Sequence, residues 1–506
     1  MNESVNKNSP SFRLCSLTLW KHPVLGDLHL DFCHDYTDPL KVYSTIIIGI
    51  NGIGKSYLLR TVADIFRCLE QLHEGNKAID LDYYFDVKYN LQGRLMEFAN
   101  FIDFKSKDGR GGYYSTYAFV NNGQTVTAKE MILPNRVLAC STTFNDKFLA
   151  RSTVMYRYKG VRSEGGSNMG GTGVMVRTAI EGLLNSFDSK AGFHQELRDL
   201  LCHLNLQPRI ELSFSRFRIP ISKFAREDMT DDLLFSLAKS EEERLGSYNF
   251  NSRLYRKITQ SDREDLTIVA DFFKRLTGRG FDNRKQVLQY RILEDDYSFV
   301  EDRKALILLL SWGFFIAPSL KVFKNANAYE FEKSSSGESN LLYQMINIMS
   351  DIQSDSLILI DEPENSSHPN WQINYMSWLK TIFERYFSCH FVISTHSHFM
   401  LTDLEPETSS IIVLKKKDGA IKDVSDGVNT FSWSVDDILY RVFGVRNTRN
   451  RAFEDEIMEL YQMMSEGSKD IARIKRMIEK LSSVVLPGND PLLVILDQAR
   501  KYVENR

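Results

Sequence analysis

The chain lacks any Cys-x-x-Cys spacing: its six cysteines, Cys15, Cys33, Cys68, Cys140, Cys202 and Cys389, are scattered over 506 residues. That distribution supports neither a zinc site nor a disulfide framework, and it suits a reducing, cytoplasmic compartment. The chain also lacks charge of one sign. Its 63 Lys and Arg against 66 Asp and Glu give a net charge of −3, so no global attraction to nucleic acid is expected. It lacks an apolar run of membrane-spanning length. The longest, Ala305 to Pro318, contains Ser311, Trp312 and Gly313, falls short of the roughly 20 residues a span requires, and reads as a buried helix. No signal-peptide h-region follows Met1-Asn2-Glu3-Ser4. No heptad is sustained over three or four repeats, which argues against a long coiled-coil arm.

What is present is a phosphate-binding pattern near the start. Gly49-Ile50-Asn51-Gly52-Ile53-Gly54-Lys55-Ser56 fits G-x-x-x-x-G-K-[ST]. Thr45 to Ile48 before it is a short β-branched run of the buried-strand type, and Leu58, Leu59, Val62, Ile65 and Phe66 recur at helical spacing after it. Strand, glycine loop and helix therefore follow in the order that lets backbone N–H groups and a helix N-terminus converge on one anion. Asn51, Gly52, Ile53 and Gly54 are expected to form the nucleotide cradle. Lys55 should reach the β- and γ-phosphates of ATP, and Ser56 should ligate Mg²⁺.

The complementary half lies about 300 residues on. Leu357 to Ile360 is an apolar strand signal that ends in Asp361-Glu362-Pro363-Glu364. Strand alternation sends the first two carboxylates to opposite sides, which suits one to the metal (Asp361) and one to the attacking water (Glu362). A further strand, Phe391 to Ile393, runs into Ser394-Thr395-His396-Ser397-His398. His396 is placed to contact a γ-phosphate at the carboxyl ends of a parallel sheet, whereas His398 reads as an ordinary loop residue. Lys55, Glu362 and His396 are the catalytic assignments.

Together with Ser335-Ser336-Gly337-Glu338 upstream, these motifs make the chain resemble the ABC-type ATPases of the SMC and overcoming-lysogenization-defect (OLD) group. Closer still, it resembles the PtuA family, the ATPase subunits of Septu-type antiphage defence systems, which also accompany some retrons. The narrower cues are Val137 to Phe148, Tyr156 to Gly160, His368-Pro369, Trp371-Gln372, and Ile438-Leu439 through Phe443-Gly444. The resemblance implies an α/β ABC-type P-loop head of two lobes. In it, Ser335, Ser336 and Gly337 close over the γ-phosphate bound to a second protomer, so that ATP glues a homodimer or higher homo-oligomer. It also implies a separately encoded nuclease partner of the HNH (PtuB) kind, with DNA reached through the complex. Ser367 stands where many members have leucine, and Asn145 or Asp146 would take the place of the glutamine that links Mg²⁺ to the first lobe. The fused nuclease of OLD enzymes needs a glutamate and a D-x-D pair that the tail does not present, so DNA cleavage by this chain alone is not expected.

The organisation expected from these positions is a first lobe over 1–149, with antiparallel strands near Tyr83 to Val87 and Tyr113 to Val120. A mainly helical lid follows over 150–300, with a glycine-rich loop over 165–173, and a second lobe over 301–430. A helical region over 431–506 caps the ATPase or docks a partner. The lid carries two basic groups, Arg209, Arg216, Arg218, Lys223 and Arg226, and Lys274, Arg275, Arg279, Arg284, Lys285 and Arg291. A solvated face is the plainer reading of them and a DNA contact the alternative. A repair or chromosome-maintenance ATPase that binds DNA directly, or an ATP-stabilised scaffold, would be the corresponding alternative functions.

Overall fold

The computed structural model describes residues 11–33, 41–107, 110–162, 172–190, 192–215, 217–245, 251–279, 287–294, 297–316, 318–324, 327–330, 336–425, 430, 433–443, 451–483 and 492–504. Strands β1 (Arg13–His22) and β2 (Gly26–Asp31) form a hairpin, and β3 (Tyr43–Gly49) then runs through the glycine loop into α1 (Lys55–His73). β4 (Tyr84–Leu91), β5 (Arg94–Lys107), β6 (Arg110–Asn121) and β7 (Gln124–Thr125) follow as a meander, then β8 (Val137–Ser141) and β9 (Tyr156–Lys159). Next come α2 (Thr172–Ser189), α3 (Phe193–His203), β10 (Ile210–Phe214), α4 (Asp231–Leu245), α5 (Ser252–Thr259), α6 (Arg263–Gly278), β11 (Leu288–Ile292), α7 (Tyr297–Trp312), β12 (Pro318–Lys324) and β13 (Asn327–Glu330). The chain continues through α8 (Ser336–Asp351), β14 (Leu357–Asp361), α9 (Pro369–Ile382), β15 (His390–Thr395), β16 (Ser409–Lys417), β17 (Ala420–Asp423) and α10 (Val435–Arg441). By compactness it divides into Met1–Ile438 and Leu439–Arg506. Among the described residues no helix is long and apolar enough to cross a membrane.

The sheet that matters for function has the order β17-β16-β3-β15-β14-β8-β9. All of its pairings are parallel except β16 with β17. Every residue of β14 and β15 is buried, as expected when helices cover both faces of a parallel sheet, and this is why their sequences read as unbroken apolar runs. Register places Asp361 beside Ser394 and Ile48 beside Thr395. The carboxyl ends of β3, β15 and β14 therefore finish level, and the loops that follow them meet.

An antiparallel sheet, β2-β1-β4-β5-β6-β7, packs its apolar side with α1. β4 alternates between buried and half-buried positions, the pattern of a sheet with one solvated face. Over 150–300, where the sequence reads as mainly helical, the structure adds β10 and β11, which join β12 and β13 in a third sheet ordered β11-β10-β12-β13. β10 and β11 are five-residue strands, too short for periodicity to separate them from loop. The glycine-rich stretch 165–173 lies outside the described residues as far as 171.

Two histidines are built in as neutral groups. At the β1–β2 turn, His22 Nδ1 accepts from the backbone N–H of Val24 (3.1 Å) and of Leu25 (3.0 Å), with Nε2 2.9 Å from Thr61 Oγ1. His390, wholly buried in β15, accepts from the Leu14 N–H at Nδ1 (3.0 Å) and meets Thr45 Oγ1 at Nε2 (2.8 Å). Burial pushes the first down to about 4 and the second well below the ordinary histidine value, with nearby arginines adding to both. The unfolded chain takes up these protons near pH 6.5 and the folded chain does not, so both groups withdraw stability as pH falls below about 6.5. The melting temperature of His22→Asn, which keeps an acceptor for the turn N–H groups but cannot titrate, should fall less between pH 6.5 and 4.5 than that of the wild type. Equal slopes would remove His22 from the acid response.

In the second unit, α11 (Arg451–Ser465), α12 (Ile471–Ser482) and α13 (Leu492–Glu504) enclose Leu460, Ile474, Ile478, Leu481, Leu496 and Ala499. α12 is capped by the Asp470 side chain, which accepts from the Arg473 N–H. Its Ile471, Ile474, Ile478 and Leu481 spacing gives one apolar stripe.

Candidate nucleotide site

The glycine loop hands β3 over to α1 at Gly54, whose φ of 108° is open to glycine and strained for any other residue. A Cβ there would also stand 2.6 Å from Leu25 Cδ2. No side chain caps α1, and its first turn carries no acidic residue. The N–H groups at its start are thus left for a ligand, in a position where the helix dipole favours an anion. Asn51 and Gly52 are exposed at the rim, and Ile53 is buried beneath them, its N–H donating to the Ile50 carbonyl (3.2 Å).

Lys55 and Ser56 open α1 toward the other two loops. Lys55 Nζ donates to the Gly49 carbonyl (3.0 Å) and lies 2.8 Å from Nε2 and 3.1 Å from Nδ1 of His396, across 341 residues of sequence. Burial lowers its pKa to about 8, opposed by the carboxylates of Glu362, Glu364 and Asp361. A polyphosphate would oppose that lowering further. Ser56 Oγ donates to Asp361 Oδ1 (3.0 Å), and the Ser394 hydroxyl donates to the same oxygen. Burial nevertheless raises Asp361 to about 6, with those two hydrogen bonds working against the shift. One hydroxyl and one carboxylate form the hard-oxygen set that Mg²⁺ takes when waters and phosphate oxygens complete its shell. Among the described residues no group of three or more His, Cys, Asp and Glu is placed to hold a metal alone.

Glu362 follows Asp361 at φ 48°, in the left-handed region. Its N–H donates to the Ser394 carbonyl (3.0 Å), and Oε1 lies 3.4 Å from His396 Nε2. The hydrogen bond to His396, then the charge of Lys55, hold its carboxyl below the usual range against partial burial. Asp361 and Glu362 thus face different neighbours. Beside them is a cavity of about 490 Å³ lined by Ser56, Asp361, Glu362, Thr142, Asn145 and Asn340, among others. Asn145 therefore stands at the site. Asp146 is held by the Arg162 guanidinium (Nη2 2.6 Å, Nε 3.2 Å) and the Tyr158 hydroxyl (2.8 Å), near enough for its charge to add to the raising of Asp361.

Ser335 lies outside the described residues. Ser336 opens α8, and Gly337 is buried at its start. A Cβ on Gly337 would come 2.4 Å from the Ser366 carbonyl oxygen and 2.9 Å from Ser367 Cα. This glycine is required by close backbone approach of the loop that follows β14. Leu341, Leu342, Met345, Ile346 and Met349 are all buried along α8. His368-Pro369 starts α9, with the His368 side chain accepting from the Asn370 N–H (3.3 Å).

The basic residues of 150–300 are largely engaged with acids. Arg275 Nε and Nη2 donate to Asp302 Oδ1 (3.2 and 3.1 Å), Arg279 Nη1 donates to Oδ2 (2.6 Å), and Arg279 Nη2 pairs with Glu301 (2.6 Å). Arg209 and Arg291 pair with Glu294, Lys223 with Glu241 and Arg226 with Asp228. Arg216, Arg284 and Lys285 lie outside the described residues.

Two further residues bind the loops, and the sequence does not single out either of them as part of the site. Glu364 Oε1 accepts from the His396 backbone N–H (2.5 Å). Gln372 accepts from Ser397 Oγ (2.6 Å) and donates from Nε2 to the Ser367 carbonyl (2.9 Å). Glu364 was legible only as the last letter of Asp-Glu-Pro-Glu and Gln372 only as part of a family cue. Their contacts span 32 and 25 residues.

No protein-family model matches this sequence, and no curated protein matches it. Solved structures do. The Smc head domain of Pyrococcus furiosus, with an extended coiled coil and bound to the C-terminal domain of ScpA, is 14% identical at a TM-score of 0.32, covering 82% of this chain and 96% of its own. The SMC head domain from Thermotoga maritima is 12% identical at 0.33, with 81% and 98% covered. The recombination mediator protein RecF-ATP of the RecFOR pathway is 12% identical at 0.31, with 83% and 100% covered.

Proposed function

We propose that the chain is an ATP-hydrolysing ABC/SMC-type ATPase that works as a homodimer or higher homo-oligomer and regulates a separately encoded, HNH-type nuclease in antiviral defence. The observation that supports the ATPase reading is the convergence of Lys55, Ser56, Asp361, Glu362 and His396, from three loops, at the level carboxyl ends of β3, β14 and β15. The glycine loop and the α1 N-terminus bind the phosphates, and Lys55 neutralises them. Ser56 and Asp361 would hold Mg²⁺, which supplies charge neutralisation to the phosphoryl oxygens. Glu362 accepts a proton from the attacking water, and His396 orients the terminal phosphate. The Ser335-Ser336-Gly337 segment carries the contact to a second protomer, with Gly337 seating it against the Ser366–Ser367 backbone of its own chain.

The partner and the biological setting rest on the sequence resemblance to Septu ATPase subunits. The pairing of Arg275 and Arg279 with Asp302 weighs against direct DNA binding through that group. Two measurements test the proposal. Phosphate release should be multiple-turnover and fall to background in Lys55→Ala, and affinity purification from the native operon should recover a small nuclease in fixed proportion. Turnover no higher than in Lys55→Ala would leave a scaffold with bound nucleotide. Recovery of the chain alone would overturn the nuclease partnership.

A further inference from the structure

We propose that Glu364 and Gln372 are positioning residues that tie the loop after β15 to the loop after β14 and thereby hold His396 between Lys55 and Glu362. The catalytic consequence rests on the ATPase reading; the geometric claim does not. Three ties join the end of β15 and the loop after it to the loop after β14 and the first turn of α9. The Glu362 N–H donates to the Ser394 carbonyl (3.0 Å), the His396 N–H donates to Glu364 Oε1 (2.5 Å), and Ser397 Oγ donates to Gln372 Oε1 (2.6 Å). They fall on residues 394, 396 and 397, on either side of the His396 side chain. The middle one is accepted by the carboxyl group of Glu364, whose pKa burial raises. It falls on the backbone of the residue whose ring contacts both Lys55 and Glu362.

The same ties have a far end. Gln372 Nε2 donates to the Ser367 carbonyl (2.9 Å), and Ser367 is half of the surface against which Gly337 packs without room for a Cβ. A displacement of the α8 start against Ser366 and Ser367 therefore has a bonded route, through Gln372, to Ser397 and the loop that carries His396. Errors of about 1 Å at reacting groups cost on the order of 10²-fold in rate, so ties of this length are enough to set turnover.

The test compares Glu364→Ala with Glu364→Gln, which keeps an oxygen acceptor for the His396 N–H. The imidazole carbon–proton NMR signal of His396, assigned by its loss in His396→Asn, is followed in nucleotide-free protein, with kcat and KM for ATP measured alongside. In Glu364→Ala the His396 signal should shift and kcat should drop about tenfold or more, with KM within about threefold. In Glu364→Gln both should stay near wild type. An unmoved His396 signal in Glu364→Ala overturns the proposal, as does a Gln variant as impaired as the Ala variant. Should Glu364→Ala fail to fold, Gln372→Ala cuts the neighbouring tie and must move the same signal. If the wild type turns over no ATP, the ATPase reading falls while the NMR comparison still decides the positioning.

Discussion

Glu362→Gln is expected to bind ATP as the wild type does and to hydrolyse it at least 10²-fold more slowly, within the roughly 10²–10⁴-fold range of a positioned general base. The expectation follows from where the carboxyl is held. Asp361 ends β14 facing the hydroxyls of Ser56 and Ser394, and the left-handed step at Glu362 turns the next side chain toward His396 instead. A non-glycine residue in that region costs on the order of 1 kcal/mol, and the turn is retained with the Glu362 N–H bonded to the neighbouring strand. His396 and Lys55 keep the carboxyl ionised, the form that takes a proton from water. Glutamine has the same size and no such capacity, and it keeps a polar oxygen beside His396. Equilibrium binding and single-turnover hydrolysis separate the two properties. Hydrolysis at the wild-type rate would move water activation to another group, and lost binding would mean that Glu362 shapes the nucleotide cradle itself.

Asp302→Ala is expected to destabilise Met1–Ile438 by about 1.5–3 kcal/mol, the range of hydrogen bonds to a buried charged group, because the arginines left behind are partly exposed and Arg279 keeps Glu301. Asp302 is 0% exposed and receives Arg275, Arg279 and the Tyr290 hydroxyl (2.9 Å) on its two oxygens. Without it two guanidinium groups and a phenol lose their common acceptor. The denaturation midpoint in urea measures the loss. A change under about 1 kcal/mol would mean that both arginines find water at no cost, as surface ion pairs do. That outcome would reopen them as contacts for nucleic-acid phosphates.

These two residues also mark how far the sequence could be read. The strand end that carries Asp361 and Glu362 was legible because its signal is local: four apolar residues, two carboxylates, a proline. The glycine loop, β3, β14 and β15 were legible for the same reason, since a strand buried on both faces leaves an unbroken apolar run. Asp302 was not. It sits in α7, 23 to 27 residues from its arginines, and along the chain Arg275 and Arg279 read only as positive charge. Asn145 and Asp146 are adjacent and chemically alike, yet one lines the cavity and the other is taken by Arg162 and Tyr158. Which way each points depends on how the segment after β8 packs. β10 and β11 escaped because five residues do not establish a period. The ties made by Glu364 and Gln372 escaped because a hydrogen bond between two loops has no signature in either.

The strand order places β15 between β3 and β14, and this has a consequence for the chain as it is made. The glycine loop leaves the ribosome first, and His396, which lies against Lys55 in the finished protein, is 341 residues behind it. At about 5–20 residues per second that is a delay of roughly 20–70 s, during which β3 has neither of its parallel neighbours. A nascent chain of this protein therefore carries the glycine loop long before the residues that meet it, and an interrupted translation product ending before β15 would lack the Lys55–His396 contact altogether.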